Sequence, residues 1–381
     1  MDIKNKTNLI YIHKIIKAVA DSIIKVFIPL IILKASGNIN YVMIYLCSYY
    51  FLCALLNIAL KKFLQKYGVI AIILHSIPLI IMQILLNSNI TWWICIILAI
   101  LSSFAQVLYS VPINILFALT DKNINVAKFE ISTNIGKIIF ILLSGYILGS
   151  SIQNSLLIMT IFSAVLYIVS AMPLLFGYNV LKNGYTKISQ NSQPIKSKNK
   201  LFNLYHILFG LFQTVIDVVL PLYLFINNLS FQSVTLVMVL IEVCKIAANI
   251  FARYLLKKGY AAVSIFLSLF IMVTSCVLMI FIKNAIILYI CSCCLGVSFP
   301  LLFVPLFGIF IKKIIKDQNQ FNGMTYRDAY IFSLRPAIYL PYFIFPDLIL
   351  QLVLGIVCSV GLGFVTFNIL KQEKNNNEIN N

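Results

Sequence analysis

The feature that most constrains this chain is the way its charges are distributed. Only 10% of the residues are charged and 61% are hydrophobic, and the charges occur in clusters separated by long apolar runs. Many runs approach about 20 residues, the length that a helix needs to cross the hydrocarbon core of a bilayer. A soluble globule would need a polar surface that this composition cannot supply. The sequence therefore predicts an all-α integral membrane protein that crosses the bilayer many times.

The apolar runs divide the chain into about twelve transmembrane helices, six on each side of a polar segment. We expect an N-terminal six-helix bundle at 1–178, a linker at 179–203, a C-terminal bundle at 204–370 and a disordered tail at 371–381. The linker is rich in Lys, Asn, Ser and Gln, a composition that does not form a packed core. The predicted spans are 18–33, 41–60, 69–86, 92–119, 135–148, 155–176, 204–226, 234–256, 261–281, 286–311, 330–344 and 348–370.

The basic residues indicate how the chain is oriented. Most of the 29 Lys and Arg residues fall in alternate connections, whereas the connections between them, such as 36–38, 87–89 and 227–228, are short and nearly neutral. Cytoplasmic connections carry the excess of Lys and Arg in membrane proteins. We therefore expect both termini and the linker to be cytoplasmic, and the usage of Ile, Lys and Asn favours a bacterial inner (plasma) membrane.

Several kinds of site are not expected. The net charge of +18 comes from residues beside the membrane and not from one face with interleaved aromatic residues, which argues against a nucleic-acid partner. The cysteines lie in apolar runs, and the cluster at 291–294 has no neighbouring His or acidic residue to complete a metal site. No Gly-rich phosphate loop is present. We expect no catalytic residue, no metal and no cofactor.

An internal repeat relates the two halves of the chain. Three sets of residues recur in the same order and at nearly the same offset, and duplicated halves with a binding site between them are a common plan of transporters. The matched positions are Pro29 and Pro221, Pro112 and Pro305, and the charge pairs Glu130/Lys137 and Asp328/Arg335.

Three short motifs carry a family resemblance. Residues 61–69, between spans 2 and 3, keep the basic Lys66 and Gly68 of the pattern Gly-x-x-x-Asp-Arg-x-Gly-Arg, although Gln65 replaces the acidic residue. Residues 108–118 are similar to the fourth helix of a bacterial branch of the family that is named below. Gly145 and Gly149 keep a Gly-x-x-x-Gly spacing that permits close helix packing, without the proline found in drug–proton antiporters.

With its 6+6 helices and basic central loop, the chain resembles the major facilitator superfamily (MFS). That resemblance implies two pseudo-symmetric six-helix bundles that expose a central cavity to alternate sides of the membrane. It also implies a secondary transporter with a small-molecule substrate, protons or another ion as the coupling partner, and the lipid bilayer as its surroundings. We expect a monomer.

Two charges lie deep in corresponding spans. Lys25 in span 1 and Asp217 in span 7 each precede a proline by four residues. Because ionisable groups within a bilayer cost about 2.5–3.5 kcal/mol each, they persist mainly where they face a cavity or a partner. In the resembled fold both helices line the central cavity. We therefore expect a breakable Lys25–Asp217 ion pair that responds to substrate or to protons, with a static pair or an outward-reaching Lys25 as the structural alternative.

Other charges extend this candidate site. Glu242 and Lys245 are three residues apart on one helix face, so they either neutralise each other or leave Glu242 free to carry a proton. Asp21, four residues before Lys25, is expected to tether it in one state. The polar residues Gln106, Asn114 and Gln213 are expected to line the cavity or to form interhelical hydrogen bonds.

A second group of residues is expected to gate the cavity or to anchor helix ends on the cytoplasmic side rather than to contact substrate. These residues are Lys66, Gly68, Glu130, Lys137, Asp328 and Arg335.

Three functions remain open from the sequence. The first is a secondary active transporter, with efflux as one direction. The second is a sensor or immunity-type membrane protein that keeps the scaffold without transporting, since a fold alone does not fix function. The third is a membrane-embedded transferase that uses lipid substrates, which would need paired carboxylates, or His with a carboxylate, in a sizeable loop. Residues 179–203 contain no acidic residue and no His, which disfavours the transferase.

Overall fold

The computed structural model describes residues 3–379 apart from 121–125, 151, 153, 193–199, 228, 283, 318 and 346. Side chains are described for the same residues except 3–7, 118–132, 316 and 373–379. Every regular element in this part of the chain is helical, which confirms the predicted all-α class.

The helices follow one another as a series of long rods with a few short turns. In chain order they are α1 (Ile3–Ile23), α2 (Ile28–Ser36), α3 (Ile39–Ala59), α4 (Lys61–Leu74), α5 (Ser76–Leu85), α6 (Trp92–Thr120), α7 (Val126–Gly149), α8 (Ser155–Phe176), α9 (Tyr178–Gln190), α10 (Lys200–Thr214), α11 (Leu220–Ile226), α12 (Phe231–Lys257), α13 (Ala261–Phe281), α14 (Ala285–Lys316), α15 (Gln320–Ser333), α16 (Pro336–Tyr339) and α17 (Ile349–Ile379).

Within the described residues, eight helices or joined helices are long and apolar enough to cross a bilayer, and α4 with α5, bent by 46°, makes a ninth. The remaining three of the twelve predicted spans correspond to α1–α2, to α7 and to α15–α16. The stretch of α7 whose side chains are described, Thr133–Gly149, is apolar but shorter than the other spans, whereas α1–α2 and α15–α16 are less apolar. Each of the three carries charged residues along its length. Those charges are Lys17, Asp21 and Lys25 on α1–α2, Lys137 on α7, and Arg327, Asp328 and Arg335 on and after α15.

Spans 1 and 7 are interrupted at matching places. A 3₁₀ turn, Lys25–Phe27, separates α1 from α2, and a π-helical turn, Val215–Val219, separates α10 from α11. Pro29 and Pro221 follow these turns, and neither has the N–H group that would bond to the carbonyl four residues earlier, at Lys25 and Asp217. Each of the two helices is therefore interrupted just before its proline, and each interruption contains a charged residue.

The predicted linker contains a packed helix, so the expectation of an unpacked segment is wrong for α9. Leu181, Tyr185 and Ser189 recur every four residues and are buried. The Tyr185 hydroxyl donates to the Leu64 carbonyl at 2.7 Å, and Ser189 donates to the Gln65 carbonyl at 2.9 Å. A narrow apolar stripe is enough to hold an amphipathic helix although the average composition is polar. Residues 193–199 of the predicted linker lie outside the described part.

The predicted tail also differs from the structure. Helix α17 continues to Ile379, well beyond the expected boundary at 370. Lys, Gln and Glu in this stretch are good helix formers, and a helix that already exists is extended at little further cost. The prediction of a disordered tail from residue 371 is therefore wrong as far as Ile379.

The two six-helix sets meet along α7 and α12, where the Gly-x-x-x-Gly spacing is used. A Cβ atom added at Gly145 would lie 2.1 Å from the Thr235 side chain, and one at Gly149 would lie 2.9 Å from Gln232. Gln232 donates to the Gly149 carbonyl at 2.9 Å. The close packing predicted from the two glycines is confirmed, and it joins the halves beside the central cavity.

Candidate binding cavity

A cavity of about 530 Å³ lies between the two sets of helices. Both sets contribute to its wall, and the two interrupted helices carry Lys25 and Asp217 to it. The structure brings together all eight residues that the sequence assigned to a cavity. They are Asp21, Lys25, Gln106, Asn114, Gln213, Asp217, Glu242 and Lys245.

One ammonium group in the cavity forms ion pairs with two carboxylates. Lys245 Nζ lies 2.9 Å from Glu242 Oε1 and 3.6 Å from Asp217 Oδ1. The pairing of Glu242 with Lys245 that follows from their spacing is therefore present. The second oxygen of Glu242, Oε2, is buried and has no hydrogen-bond partner in the part of the chain that is described. An acidic oxygen without a donor is a position where a proton can be held.

The predicted pairing of Lys25 with Asp217 does not form in this structure. Asp217 is taken by Lys245, and the Lys25 ammonium donates instead to Gln106 Oε1 at 3.3 Å. Sequence position gave the depth of both charges in the membrane but not the direction in which each faces around its helix. The partner that Asp217 does have, Lys245, comes from the same half of the chain and not from span 1.

Asp21 is also held differently from the prediction. Its two oxygens bind Lys17, at 2.6 Å, and the Tyr167 hydroxyl, at 2.6 Å, rather than tethering Lys25. Both lysines lie one helical turn from Asp21, Lys17 before it and Lys25 after it, so spacing alone could not choose between them. The buried Lys17 ammonium also lies 3.9 Å from the ring centre of Tyr109.

Three of the predicted gate residues line the cavity, whereas the sequence placed them at the cytoplasmic ends of helices, and their role in gating stays a prediction. They are Lys137, Asp328 and Arg335. The cause is that α7 begins at Val126 and α15 at Gln320, each between two and three helical turns before the predicted start of the span. The hydropathy pattern excluded these polar turns from the helices.

Asp328 and Arg335 make defined contacts at this wall. Asp328 accepts from Ser110 of α6 at 2.6 Å, a contact between the two halves, and from Arg327 at 2.9 Å. Arg335 donates to Gln213 at 2.6 Å and to the Ile331 carbonyl at 3.1 Å.

The other predicted gate residues behave differently. Lys66 is exposed and its ammonium lies 5.0 Å from the Tyr67 ring centre. Gly68 is buried, and a Cβ atom added there would lie 2.1 Å from the Tyr185 ring. The side chain of Glu130 lies outside the described residues. The segment predicted to connect spans 2 and 3 is thus the first part of α4, and it packs on α9 through Gly68 and Gln65.

Sequence reasoning missed the aromatic part of the wall and Arg327. Phe299 and Phe303 stack with centroids 5.8 Å apart, one helical turn apart on α14. Arg335 lies 5.0 Å from the ring centre of Tyr50, which in turn stacks on Tyr339. The four-residue spacing of aromatic residues on α14 was the available signal, but such a stripe equally describes packing against neighbouring helices.

Among the described residues, no group of three or more His, Cys, Asp or Glu side chains is arranged to hold a metal ion.

A helical membrane bundle whose two halves enclose a charged cavity, with discontinuous helices reaching its wall, has the architecture of a secondary transporter. The chain belongs to the Major Facilitator Superfamily, whose family model matches residues 13–324.

Two solved structures resemble this fold. Both are crystal structures of a bacterial homologue of the iron transporter ferroportin in an outward-facing state. The one soaked with iron is 12% identical, with a TM-score of 0.69, over 95% of this chain and 98% of the other. The second is 11% identical, with a TM-score of 0.67, over 97% and 99%. At these identities the likeness concerns the fold alone. A comparison with curated proteins gave no match.

Proposed function

We propose that this protein is a secondary active transporter that moves a small solute by alternating access between bundles 1–178 and 204–370, driven by a proton or other ion gradient. The observation that carries the proposal is the cavity that both halves share, with charged side chains on its wall where spans 1 and 7 are interrupted. Ionisable groups placed at such a depth in a membrane protein mark substrate or ion pathways.

Contacts at the boundary between the two halves are the ones that the proposed movement would break and re-form. Ser110 bonds Asp328 across the cavity, and Arg335 lies 5.0 Å from the ring centre of Tyr50 on the other half. Each is a polar or cation–aromatic contact rather than an interdigitated apolar layer. Such contacts can be exchanged for contacts with water or solute when the halves rock about the cavity.

Glu242 is the proposed carrier of the coupling proton. It shares Lys245 with Asp217 and has a buried oxygen without a donor among the described residues. If Lys245 turns to Asp217 or to a solute, Glu242 loses its neutralising partner in a medium that disfavours the charged carboxylate. Proton uptake by Glu242 would then accompany one half of the cycle.

The same proposal places the protein in the plasma (inner) membrane with both termini in the cytoplasm. The supporting observation is the excess of Lys and Arg in alternate connections. Efflux is one possible direction of transport, and its support is limited to the Gly145–Gly149 spacing on α7, which follows the motif of drug–proton antiporters without its proline.

The experiment is flux in proteoliposomes with an imposed pH gradient, using a panel of small anionic, neutral and cationic solutes. We expect at least one solute to move faster with the protein and the gradient than with either alone. Protein-free vesicles and vesicles without a gradient are the controls. A protein that binds a panel solute without moving it would contradict the proposal and favour a sensor on the same scaffold.

A further inference from the structure

The cavity wall carries charges of both signs in unequal number. Five basic side chains line it: Lys25, Lys137, Lys245, Arg327 and Arg335. Four acidic side chains line it: Asp21, Asp217, Glu242 and Asp328. What a cavity can accept depends on which of these charges are already neutralised by neighbours.

Two of the carboxylates are fully engaged. Asp21 receives Lys17 on one oxygen and Tyr167 on the other, both at 2.6 Å. Because Lys17 is not a lining residue, it brings one further positive charge to the wall from outside. Asp328 receives Arg327 at 2.9 Å on one oxygen and Ser110 at 2.6 Å on the other.

The other two carboxylates share one cation. Glu242 lies 2.9 Å from Lys245, and Asp217 lies 3.6 Å from the same ammonium. Every lining carboxylate therefore has a basic partner within 4.0 Å, and none is left to neutralise the remaining cations at that distance.

Three cations on the wall are held by neutral groups or lie without a close carboxylate. Lys25 donates to the Gln106 amide oxygen at 3.3 Å, and Arg335 donates to Gln213 and to a backbone carbonyl. In the described part of the chain, no carboxylate oxygen lies within 4.0 Å of Lys25, Lys137 or Arg335. Arg335 is buried, so its charge is not relieved by full exposure to water.

Cations on a cavity wall that have no carboxylate within 4.0 Å favour an anion that enters between them. Carboxylate and related oxyanions form short, charge-assisted hydrogen bonds with Lys and Arg. Lys25 and Lys137 belong to the first half and Arg335 to the second, so an anion that contacts both sides would bridge the halves.

The rest of the wall suits an apolar body. Phe209, Phe299 and Phe303 form a run of ring contacts on the second half, with centroids 5.3 to 5.8 Å apart. Tyr49 and Tyr50 face the cavity from α3. The volume, about 530 Å³, is in the range of sites for small organic ligands.

We infer that the cavity takes a small organic anion with an apolar or aromatic body, whose charged group is held by Lys25, Lys137 and Arg335. This inference rests on the proposed function, since it names the class of solute that the same cavity would carry.

The first test is binding by three ligands that share one body and differ in charge. Purified protein in neutral detergent is titrated with 2-naphthoate, 2-naphthamide and 2-naphthylmethylammonium, and thermal unfolding is recorded. We expect saturable stabilisation by naphthoate, with a Kd at least several-fold lower than that of the amide. The substitutions K25Q and R335Q should each raise the naphthoate Kd about tenfold, the loss expected for a hydrogen bond to a charged group.

Lys182 provides the matched control, because it is a lysine on α9 outside the cavity and its ammonium lies 5.7 Å from the Tyr178 ring centre. K182Q should leave the naphthoate Kd unchanged. Equal or stronger stabilisation by the ammonium ligand, or no preference among the three, would overturn the inference.

A second measurement needs no bound ligand and covers the case in which a charge substitution fails to fold. A cysteine is placed at Asn114 on the cavity wall, and its rates of modification by a sulfonate and by a trimethylammonium methanethiosulfonate are compared. The same ratio at an exposed position, S88C, corrects for the intrinsic reactivity of the reagents. We expect the corrected ratio to favour the sulfonate several-fold, whereas a corrected ratio that favours the cationic reagent would contradict a positive cavity.

The two proposals fail separately. Gradient-driven flux of neutral or cationic solutes without any preference for anions overturns the solute class and leaves the transporter. Naphthoate binding that is sensitive to K25Q and R335Q, with no flux of any solute, overturns the transporter and leaves the anion site.

Discussion

At the scale of single residues, Lys245 is the side chain that holds two acidic residues of the C-terminal half together. One ammonium stands between Glu242 and Asp217, and only the first of these contacts is as short as a normal hydrogen bond. Glu242 is largely buried, whereas the side chain of Asp217 is 39% exposed. Water can therefore replace Lys245 as the partner of the Asp217 carboxylate more easily than as the partner of Glu242. The pair with Glu242 is therefore the stronger structural contact.

Removing that ammonium should destabilise the protein. K245M leaves Glu242 buried without its cation, a change that costs about 3 kcal/mol or more when a buried pair is broken. We expect a clearly lowered unfolding temperature in detergent. The double variant K245M/E242Q should recover most of the loss, because the remaining amide carries no charge. A double variant as unstable as K245M would show that the pair is not the cause.

The proposed proton carrier makes a separate prediction. E242Q retains a hydrogen-bonding group of the same shape but cannot exchange a proton at any pH in the working range. We expect E242Q to lose uptake or efflux driven by a pH gradient while it retains solute exchange without a gradient. Flux assays under both conditions measure this, and gradient-driven transport at the wild-type rate in E242Q would refute the assignment.

At the scale of elements, the contact between α7 and α12 sets how closely the halves approach. Gly145 allows the backbone of α7 to lie against Thr235, and no flexible side chain separates them. Small residues spaced by four are the usual means by which membrane helices reach such a distance.

Enlarging that glycine should push the two helices apart. G145A places a methyl group where Thr235 now lies, so we expect a lower unfolding temperature and slower transport. The added substitution T235A makes room and should restore both. Gly308 is the matched control, because a Cβ atom built there meets nothing within 4 Å, and G308A should behave as wild type. No difference between G145A and G308A would mean that the approach of α7 is not limiting.

Particular elements show what could be inferred before the structure was known. The helical class and most of the spans follow from runs of apolar residues, because the bilayer imposes one length on every crossing. The starts of α7 and α15 were missed, since helices that face an aqueous cavity tolerate polar turns that a hydropathy window assigns to loops. The residues that line the cavity could be predicted from their depth in the membrane. Which side chains pair with each other, as Lys245 does with Asp217, depends on how each helix is rotated about its axis, and the sequence separation between residues on different helices does not determine that rotation.

At the scale of the whole molecule, the charge asymmetry predicts orientation. The connections of one side carry most of the Lys and Arg, and the side with residues 87–89 is nearly neutral. This uneven distribution of positive charge orients the chain while it inserts into the membrane, before the fold is complete. Orientation is therefore a property of the complete sequence and not of one helix.

Cysteine labelling of intact cells tests this orientation. A membrane-impermeant maleimide should label S88C from outside, and should label Q190C only after the membrane is permeabilised. A background without the native cysteines that react on the outside serves as the control. Labelling of Q190C in intact cells would place α9 on the outer surface and reverse the predicted topology.

Ser192, just beyond α9, bears on where one bundle gives way to the next. Asn322 of α15 donates to the Ser192 carbonyl at 3.2 Å, while Tyr185 and Ser189 donate to backbone carbonyls near the start of α4. Helix α9 is thus fastened to the first bundle, and the second bundle touches the chain immediately after it. If the bundles move relative to each other as proposed, we expect α9 to move with the first bundle, so that the boundary between the two moving bodies falls near residue 192 rather than at residue 179.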